Sequence, residues 1–184
     1  MKEEQFIEML NGCHRKEHKS QTLLYDSYHR FVYRTIAIYI EEKFSVEDVL
    51  SITFEKVFEN INTLKERYEP SLRAWIRRIA INQSIMYQRE NKKLKLNERI
   101  TDAHISVLSS NEHEYSCLSD LEFLYNKIKE LPEQQRTVFN LRAIDGYSAK
   151  EVSEKLNMHI TACKSNYSRA KKKMQEKIKL NKII

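Results

Sequence analysis

Glycine and proline, the residues that interrupt helices most strongly, occur only twice each among the 184 residues of this chain. Leu, Lys, Glu, Arg and Ile make up much of the remainder, and they favour long helices over the glycine-rich turns of a sheet protein. A hydrophobic content of 41% is too high for a disordered chain. The sequence therefore predicts an all-α fold.

The net charge of +6 is distributed unevenly along the chain. The segment from Lys164 to Lys182 holds eight basic residues and one acid. Cations concentrated in one segment are the electrostatic pattern of a protein that binds a polyanion such as nucleic acid.

The three cysteines, Cys13, Cys117 and Cys163, lack the C-x-x-C spacing of a zinc or redox site. An odd number without such spacing favours a reducing compartment. The N-terminus lacks the apolar core of a signal peptide, and no run of about 18 apolar residues could form a membrane helix. We expect a cytoplasmic protein that is neither exported nor inserted in a membrane.

Apolar residues recur at helical spacing through the first half of the chain. One amphipathic helix is predicted over Leu23–Ile40, and a second begins with Ser45 as its N-cap, ahead of an apolar stripe that ends at Ile61. A polar connection containing Pro70 leads to a third helix, predicted over Leu72–Glu90. One side of the third helix carries Trp75, Ile79 and Met86.

The composition changes in the middle of the chain, where periodicity fades, polar residues accumulate and the local charge turns negative. We interpret this segment as a flexible linker between two small helical domains. The expected organisation is an N-terminal helix over 1–20, a first domain over 21–93, the linker over 94–118 and a second domain over 119–180.

A helix-turn-helix is predicted in the second domain. Ser148 and Glu151 have the spacing of a capping box that opens a short helix ending near Leu156. Asn157 follows, and asparagine tolerates the left-handed conformation of a tight turn. The second helix then runs over about Ile160–Met174. Earlier helix boundaries are expected at the capping box Ser119–Glu122, at Pro132 in a first helical position and at Gly146 as a C-cap.

The two sides of this last helix differ in chemistry. Spacings of three and four place Ile160, Cys163, Tyr167, Ala170 and Met174 on one side, to pack on Val152 and Leu156. Cys163 is thus expected to be a buried, inert thiol rather than a redox sensor. The other side mixes hydroxyls with long cations. This mixture fits contact with base edges and phosphates better than it fits the alternative, a side that only faces solvent. The residues expected to contact DNA are Thr161, Lys164, Ser165, Ser168, Arg169 and Lys172.

A second exposed surface is predicted on the helix that follows Ser45. Asp48, Ser51, Ile52 and Glu55 project away from its apolar stripe, at spacings of three, one and three. An isoleucine set between acids and a hydroxyl indicates a face that docks on another protein.

Four motifs, in order, resemble the bacterial sigma factors of the extracytoplasmic-function type, over about Leu23 to Lys177. Leu24–Tyr28 resembles the start of sigma region two, and Val46–Phe54 resembles its acidic, polymerase-docking helix. Leu72–Asn82 is similar to the helix that faces the minus-ten promoter element. Leu131–Ala170 resembles region four, which recognises the minus-thirty-five element.

The resemblance implies a promoter-specificity subunit that performs no chemistry itself and needs no cofactor or metal. Its expected partners are RNA polymerase core, through the clamp helices of the beta-prime subunit and the beta flap, promoter DNA, and an anti-sigma factor. The face with Asp48, Ser51, Ile52 and Glu55 would dock on the clamp helices.

The resemblance also implies roles on the third helix. With the loop from Thr63 to Pro70, Arg78 and Asn82 would capture an unpaired, flipped base of the minus-ten element. Arg89, Lys92 and Lys93 would neutralise phosphates without recognising sequence. The helix with Lys164 and Arg169 would enter the major groove of the minus-thirty-five element.

Two other functions are open on the sequence alone. A helix-turn-helix regulator would bind duplex operators as a symmetric dimer, whereas a sigma factor should be monomeric and need core polymerase. The second open function is a zinc hydrolase. The segment His14-Arg-Lys-Glu17-His18 has the H-x-x-E-H form of inverted zinc metallopeptidases, and its two histidines could share a helical face. Since no downstream ligand motif accompanies it, we favour a charged, solvent-facing helix for this segment.

Overall fold

The computed structural model describes the backbone of residues 3–98 and 119–181, and the side chains of residues 3–94 and 123–177. None of these residues lies in a β-strand, so the all-α prediction is confirmed. The α-helices are α1 (Glu3–His14), α2 (His18–Ala37), α3 (Lys43–Asn60), α4 (Glu69–Glu98), α5 (Ser119–Lys129), α6 (Glu133–Phe139), α7 (Ala149–Leu156) and α8 (Ile160–Asn181).

The chain divides into two compact units, of which the first contains α1 to α4 and the second contains α5 to α8. Residues 94–98 of the predicted linker continue α4, and the remainder of that linker lies outside the described residues.

The first unit is a bundle in which α2, α3 and α4 pack against one another. Each helix turns one apolar stripe inward, with residues spaced by three to eight positions as a helical face requires. The fully buried residues of this core include Leu24, Val32 and Ile36 of α2, Val46, Val49 and Val57 of α3, and Leu72, Ile76 and Ile81 of α4.

The apolar pattern at the end of α2 continues past the end of the helix. The helix ends at Ala37, whereas the sequence predicts an end at Ile40. Ile38, Tyr39 and Ile40 are nevertheless buried, and the Tyr39 carbonyl accepts a hydrogen bond from the Gln88 side chain at 2.8 Å. Core packing explains the apolar residues without a helical backbone.

The start of α3 differs from the prediction, because Glu42 and not Ser45 caps the helix. The Glu42 carboxylate accepts hydrogen bonds from the backbone N–H groups of Phe44, at 2.9 Å, and Ser45, at 2.6 Å. Ser45 is buried inside the first turn, where its hydroxyl oxygen accepts from the Tyr87 hydroxyl at 2.5 Å. A carboxylate satisfies the free N–H groups of a helix start as well as a serine does.

The start of α4 also lies earlier than predicted. Pro70, expected in a connecting loop, is the second residue of the helix, which begins at Glu69 rather than Leu72. Proline is tolerated in a first turn because the N–H that it lacks would have no acceptor within the helix.

The N-terminal segment contains a helical hairpin rather than one helix. Lys16, with φ of 60°, lies in the turn, and Glu17 is the N-cap of α2. His14 and His18 therefore belong to different helices, which removes the shared face that the zinc hypothesis requires. Residues 15–18 are exposed, as predicted for this segment, but they form a turn and the start of α2 rather than part of one helix.

The second unit is held together by α8. Its buried residues Ala170 and Met174 form a core with Ile128 and Leu131, flanked by Leu124 and Phe139. The apolar side of α8 therefore packs on α5 and α6 as well as on the predicted partner α7. Val152 of α7 is fully buried.

Two turns in the second unit adopt left-handed backbone conformations. Gly146, with φ of 75°, follows a π-helical turn over Asn140–Ile144, and the Tyr147 N–H then donates to the Leu141 carbonyl at 2.9 Å. Asn157, with φ of 47° and ψ of 51°, ends α7 as the sequence predicts. Glycine and asparagine adopt the left-handed conformation at a lower energetic cost than most residues, which explains their presence at these two positions.

The predicted helix starts in this unit are confirmed in part. The capping box is present, with Ser148 Oγ accepting from the Glu151 N–H at 3.2 Å and Glu151 accepting from the Ser148 N–H at 2.8 Å. Pro132 is the N-cap of α6 and not its first helical residue. The helix α5 begins at Ser119, but the capping side chains expected at Ser119–Glu122 lie outside the described residues.

Candidate nucleic-acid interface

The exposed side of α8 brings together all six residues that the sequence predicts for DNA contact. Five of them are exposed and Ser165 is half-buried, while Cys163, Ala170 and Met174 face the opposite way and are buried. Spacings of one, three and four keep the six residues on one helical face. The exposed members are Thr161, Lys164, Ser168, Arg169 and Lys172.

The first turn of α8 is capped by a histidine that the sequence analysis overlooked. His159 Nδ1 accepts from the Thr161 N–H at 3.3 Å and lies 2.6 Å from the Thr161 hydroxyl, and the His159 carbonyl accepts from the Cys163 N–H at 3.0 Å. Since His159 Nδ1 accepts from the backbone, it also accepts the hydroxyl proton. The Thr161 oxygen is left to accept a hydrogen bond from a ligand.

Aromatic packing fixes the middle of α8 against the preceding turn. The Arg142 guanidinium lies 4.2 Å from the centroid of the Tyr167 ring, and the Phe139 ring is stacked on Tyr167 at 6.1 Å. Tyr167 is half-buried, but Ile160 is 36% exposed, so the prediction that Ile160 belongs to the packed side is wrong. A helix start has fewer neighbours than the rest of the helix, which leaves Ile160 uncovered.

Cys163 is fully buried among these residues. Burial raises the pKa of its thiol, against the opposing effect of the nearby Arg142 charge. A protonated and inaccessible thiol is a poor nucleophile. The prediction of an inert packing residue is confirmed.

Not every cation of the basic segment is available to a ligand. Lys177 pairs with Glu130, which also pairs with Lys127 at 2.6 Å. The hydrogen bond from Lys127 lowers the pKa of the Glu130 carboxyl most, and the hydrogen bond from Lys177 lowers it further. The end of α8 is thus tied to α5 by charge as well as by apolar packing.

A second basic surface lies on α4. Arg78, Asn82, Arg89, Lys92 and Lys93 are all exposed, as the sequence predicts. The buried side of the helix includes Leu72, Ile76, Ala80, Ile81 and Ile85.

A groove of about 280 Å³ opens between α4 and the end of α3. Asn82 lines it, together with Trp75 and Ile79, which are half-buried. The sequence places Trp75 and Ile79 on the apolar side of α4 together with Met86. Met86 is, however, 53% exposed. Their position at the edge of the core, and not inside it, creates the groove. Thr63, which begins the loop predicted to help capture a base, also lines the groove, as do three residues missed by the sequence analysis, Lys56, Asn60 and Gln83.

The loop predicted over Thr63–Pro70 is shorter in the structure. Thr63 ends a 3₁₀ turn, Glu69 and Pro70 belong to α4, and only residues 64–68 connect them. Leu64 anchors this connection in the core, while Tyr68 is 52% exposed. A hydrogen bond to Glu66 raises the pKa of the Tyr68 phenol.

The four residues predicted to form a docking face are exposed on α3. Asp48, Ser51, Ile52 and Glu55 are exposed, and Ile52 keeps 42% of its surface accessible. The other side of the helix is buried at Val49, Thr53, Phe54 and Val57. Phe44, at the start of the same helix, is 74% exposed, and spacings of four, seven and eleven place it on the same side as Asp48, Ser51 and Glu55.

Within the described residues, the structure shows no helix long and apolar enough to span a bilayer. No group of three or more His, Cys, Asp or Glu side chains in that part of the chain could hold a metal ion.

Comparison with known proteins gives two family matches, in the order that the sequence motifs predict. A model described as Sigma-70 region 2 matches residues 24–94, and one described as Sigma-70, region 4 matches residues 123–174. These segments correspond to α2 to α4 and to the greater part of the second unit.

Two curated relatives extend the similarity over most of the chain. The RNA polymerase sigma factor SigZ of Bacillus subtilis (strain 168) is 29% identical over 153 residues, which cover 83% of this chain and 84% of the relative. The ECF RNA polymerase sigma-E factor of Haemophilus influenzae (strain ATCC 51907 / DSM 11121 / KW20 / Rd) is 25% identical over 170 residues, covering 87% and 88%.

A solved structure has a similar fold. The sigma factor RpoE from Bartonella quintana, crystallised in complex with the anti-sigma factor NepR, has a TM-score of 0.54 and 20% sequence identity. The similarity covers 86% of this chain and 96% of that chain.

Proposed function

Because this chain belongs to the sigma-70 family, as an RNA polymerase sigma factor of the extracytoplasmic-function type, we propose that its two units contact two separate elements of one promoter. Its function is to direct RNA polymerase core to promoters and to initiate transcription. Sigma factors are non-catalytic, so we assign recognition to this chain and the chemistry to the polymerase. It would act in the cytoplasm, where polymerase and DNA meet.

The exposed side of α8 is proposed to lie in the major groove of the minus-thirty-five element. The observation that carries this assignment is the separation of its cations and hydroxyls from the buried Cys163, Ala170 and Met174. Arg169 and Lys164 have the length and charge to reach guanine edges or phosphates. Ser165 and Ser168 can donate to or accept from either strand, Thr161 can accept, and Lys172 lies where phosphate contacts are expected.

The groove beside α4 is proposed to hold an unpaired base of the minus-ten element. Trp75 offers a π-face for stacking, and Asn82 offers an amide that can donate to and accept from a base edge. Arg78 is exposed on the same helix near the groove, while Arg89, Lys92 and Lys93 would follow the phosphates away from it. Stacking combined with edge recognition is how proteins select a flipped base.

The face of α3 is proposed to bind the clamp helices of the beta-prime subunit. Asp48 and Glu55 supply charge, Ser51 a hydroxyl and Ile52 an apolar contact, which together suit the centre and rim of a protein interface. Phe44, exposed on the same helix, is a further candidate contact. The second unit would meet the beta flap.

We also propose an anti-sigma factor as a partner of this chain, since the relative from Bartonella quintana was crystallised with one. The matched segments support two domains, which we propose over 21–93 and 119–180, with a linker over 94–118 and an N-terminal segment over 1–20.

In vitro transcription tests this function directly. The purified chain is combined with RNA polymerase core and a genomic template library, and initiation sites are mapped. We expect initiation at a limited set of sites that share two elements. Core alone serves as the control, and the absence of chain-dependent initiation on every template would overturn the proposal. A dimer that binds duplex operators without core would instead favour the regulator hypothesis.

A further inference from the structure

The short connection between α3 and α4 is held from outside by α1. Arg67 Nη1 donates to Asn11 Oδ1 at 2.8 Å, and Arg67 Nη2 lies 3.1 Å from His14 Nε2. The other ring nitrogen of His14, Nδ1, is hydrogen-bonded to Asn62 Oδ1. Two residues of α1 thus contact both ends of the segment from Asn62 to Arg67.

The chemistry of these bonds defines the form of His14. A guanidinium has only N–H donors, so His14 Nε2 must accept the hydrogen bond from Arg67. The proton of a neutral imidazole then lies on Nδ1, where it is donated to the Asn62 carbonyl oxygen. The His14 imidazole therefore links Asn62, an acceptor in the 3₁₀ turn, to Arg67, a donor in the loop.

The bonded residues adjoin the groove. Asn62 immediately precedes Thr63, which lines the groove with Trp75 and Asn82. Arg67 lies in the exposed part of the connection, between the buried Leu64 and the start of α4. Without a bond to Arg67, the exposed stretch after Leu64 would be fixed only at its ends.

The helix α1, which supplies Asn11 and His14, is held firmly in the first unit. Leu10 and Cys13, which immediately precede Asn11 and His14 in sequence, are fully buried in the first unit. Gly12 lies against α2 so closely that an added Cβ would be 2.6 Å from Ser20 Cβ. The helix α1 lies outside residues 24–94, which match the region 2 model.

We propose that Asn11 and His14 are positioning residues for promoter recognition. Through Arg67 and Asn62 they hold the wall of the groove in the conformation that accepts and discriminates an unpaired base. The proposal rests on the function assigned to that groove and extends it to α1, a helix outside the segment that matches the region 2 model. Loss of these bonds lets the groove accept wrong bases, because a loosened wall no longer penalises them.

The test uses the full-length chain in holoenzyme with RNA polymerase core. Templates carry a promoter from which the wild-type holoenzyme initiates, and the set contains every single-base substitution in its minus-ten element. The readout is discrimination, the ratio of transcripts from the original promoter and from each substituted one. His14→Ala and Asn11→Ala remove bonds to Arg67 from α1 and leave Arg67 itself free to contact DNA.

His14→Ala is expected to lower discrimination at the captured position by about tenfold, as the loss of two hydrogen bonds allows. His14→Gln should restore most of it, because the amide can both accept from Arg67 and donate to Asn62. His14→Lys, which only donates, should not. The matched control is His18→Ala, which removes a histidine that is exposed and lies 3.4 Å from the Thr22 hydroxyl in its own helix. It should leave discrimination unchanged.

Unchanged discrimination in both His14→Ala and Asn11→Ala would overturn the proposal while leaving the proposed function intact. An equal loss of transcription on all templates, without rescue by His14→Gln, would also overturn it, because it would indicate a damaged fold. If no promoter is found from which the wild-type holoenzyme initiates, the proposed function fails and this inference fails with it.

Discussion

The Arg142 guanidinium lies 4.2 Å above the ring of Tyr167, so the turn before the helix-turn-helix holds the helix that bears the predicted DNA contacts. Arg142→Ala should destabilise α8 locally by about 1 kcal/mol through loss of this cation–π contact. Faster hydrogen exchange of the α8 amides is the expected measurement. Lys155→Ala, which removes a Lys155 contact to the Tyr147 ring at 4.9 Å on the short helix α7, is the matched control. Similar exchange in the two variants would contradict the prediction.

Arg169 is predicted to recognise a base within the minus-thirty-five element. Arg169→Ala should weaken binding of holoenzyme to its promoter by about 1 to 3 kcal/mol and relax selectivity at one base pair. Binding to a set of minus-thirty-five variants measures both effects. Lys172→Ala should instead weaken binding to every variant alike and reduce the salt dependence. If Arg169→Ala behaves in the same way, Arg169 contacts phosphate.

Asp48 is predicted to contact the polymerase and not DNA. Asp48→Ala should reduce association of the full chain with RNA polymerase core, since it removes a charge from the exposed face of α3. Titration of labelled chain with core measures the affinity. Glu59→Ala is the control, because Glu59 is an exposed acid of the same helix paired with Lys56 at 2.8 Å. Equal losses in the two variants would indicate an effect of net charge alone.

Gly12 is predicted to be required for the close contact between α1 and α2. An alanine Cβ at this position would lie 2.6 Å from Ser20 Cβ, so the helices must move apart. Gly12→Ala should lower the free energy of unfolding of the first unit by about 1 to 3 kcal/mol, as for other overpacked contacts. Denaturant unfolding followed by Trp75 fluorescence measures it. Ser20→Gly in the same background should recover part of the loss, and its failure to do so would exclude a steric cause.

The stability of the first unit is predicted to depend on the ionisation of Glu42. Hydrogen bonds from Ser45, through its hydroxyl and its N–H, and from the Phe44 N–H lower the pKa of Glu42 below its ordinary value of 4.5. A lowered pKa in the folded state means that the stabilisation is complete above the ordinary value and is lost as the pH falls through the lowered one. Glu42→Gln should therefore be less stable than wild type at neutral pH.

The difference between wild type and Glu42→Gln should shrink as the solution is acidified below pH 4.5, because the wild-type carboxyl is then protonated as well. Unfolding curves at several pH values test this. Glu41→Gln, a change at the neighbouring exposed acid, provides the control for net charge. A constant difference at all pH values would show that the ionised form of Glu42 is not what stabilises α3.

Much of the second unit follows from its sequence, because local chemistry determines its boundaries. The Ser148 and Glu151 capping box, the left-handed Asn157 and the register of α8 each depend on residues within one or two turns. Such local rules apply before any tertiary contact is known.

The features that escaped prediction depend on distant partners. Glu42 could replace Ser45 as a cap because Ser45 is occupied by Tyr87, which lies 42 residues away. Trp75 has the spacing of a core residue, and only the packing of α4 beside α3 leaves it at the edge of a groove. Neither relationship is encoded in spacing along a single helix.

Among the residues that the structure describes, each unit contains one fully buried thiol, Cys13 in the first and Cys163 in the second. Burial raises the pKa of Cys13 to about 11 and raises that of Cys163 in the same direction. A thiol that is both enclosed and protonated reacts with a labelling reagent only after its surroundings open. With Cys117 replaced by Ser, alkylation rates at the two sites would report the opening free energies of the two units separately. Protection at each cysteine in the assembled promoter complex would then report how strongly binding stabilises each unit.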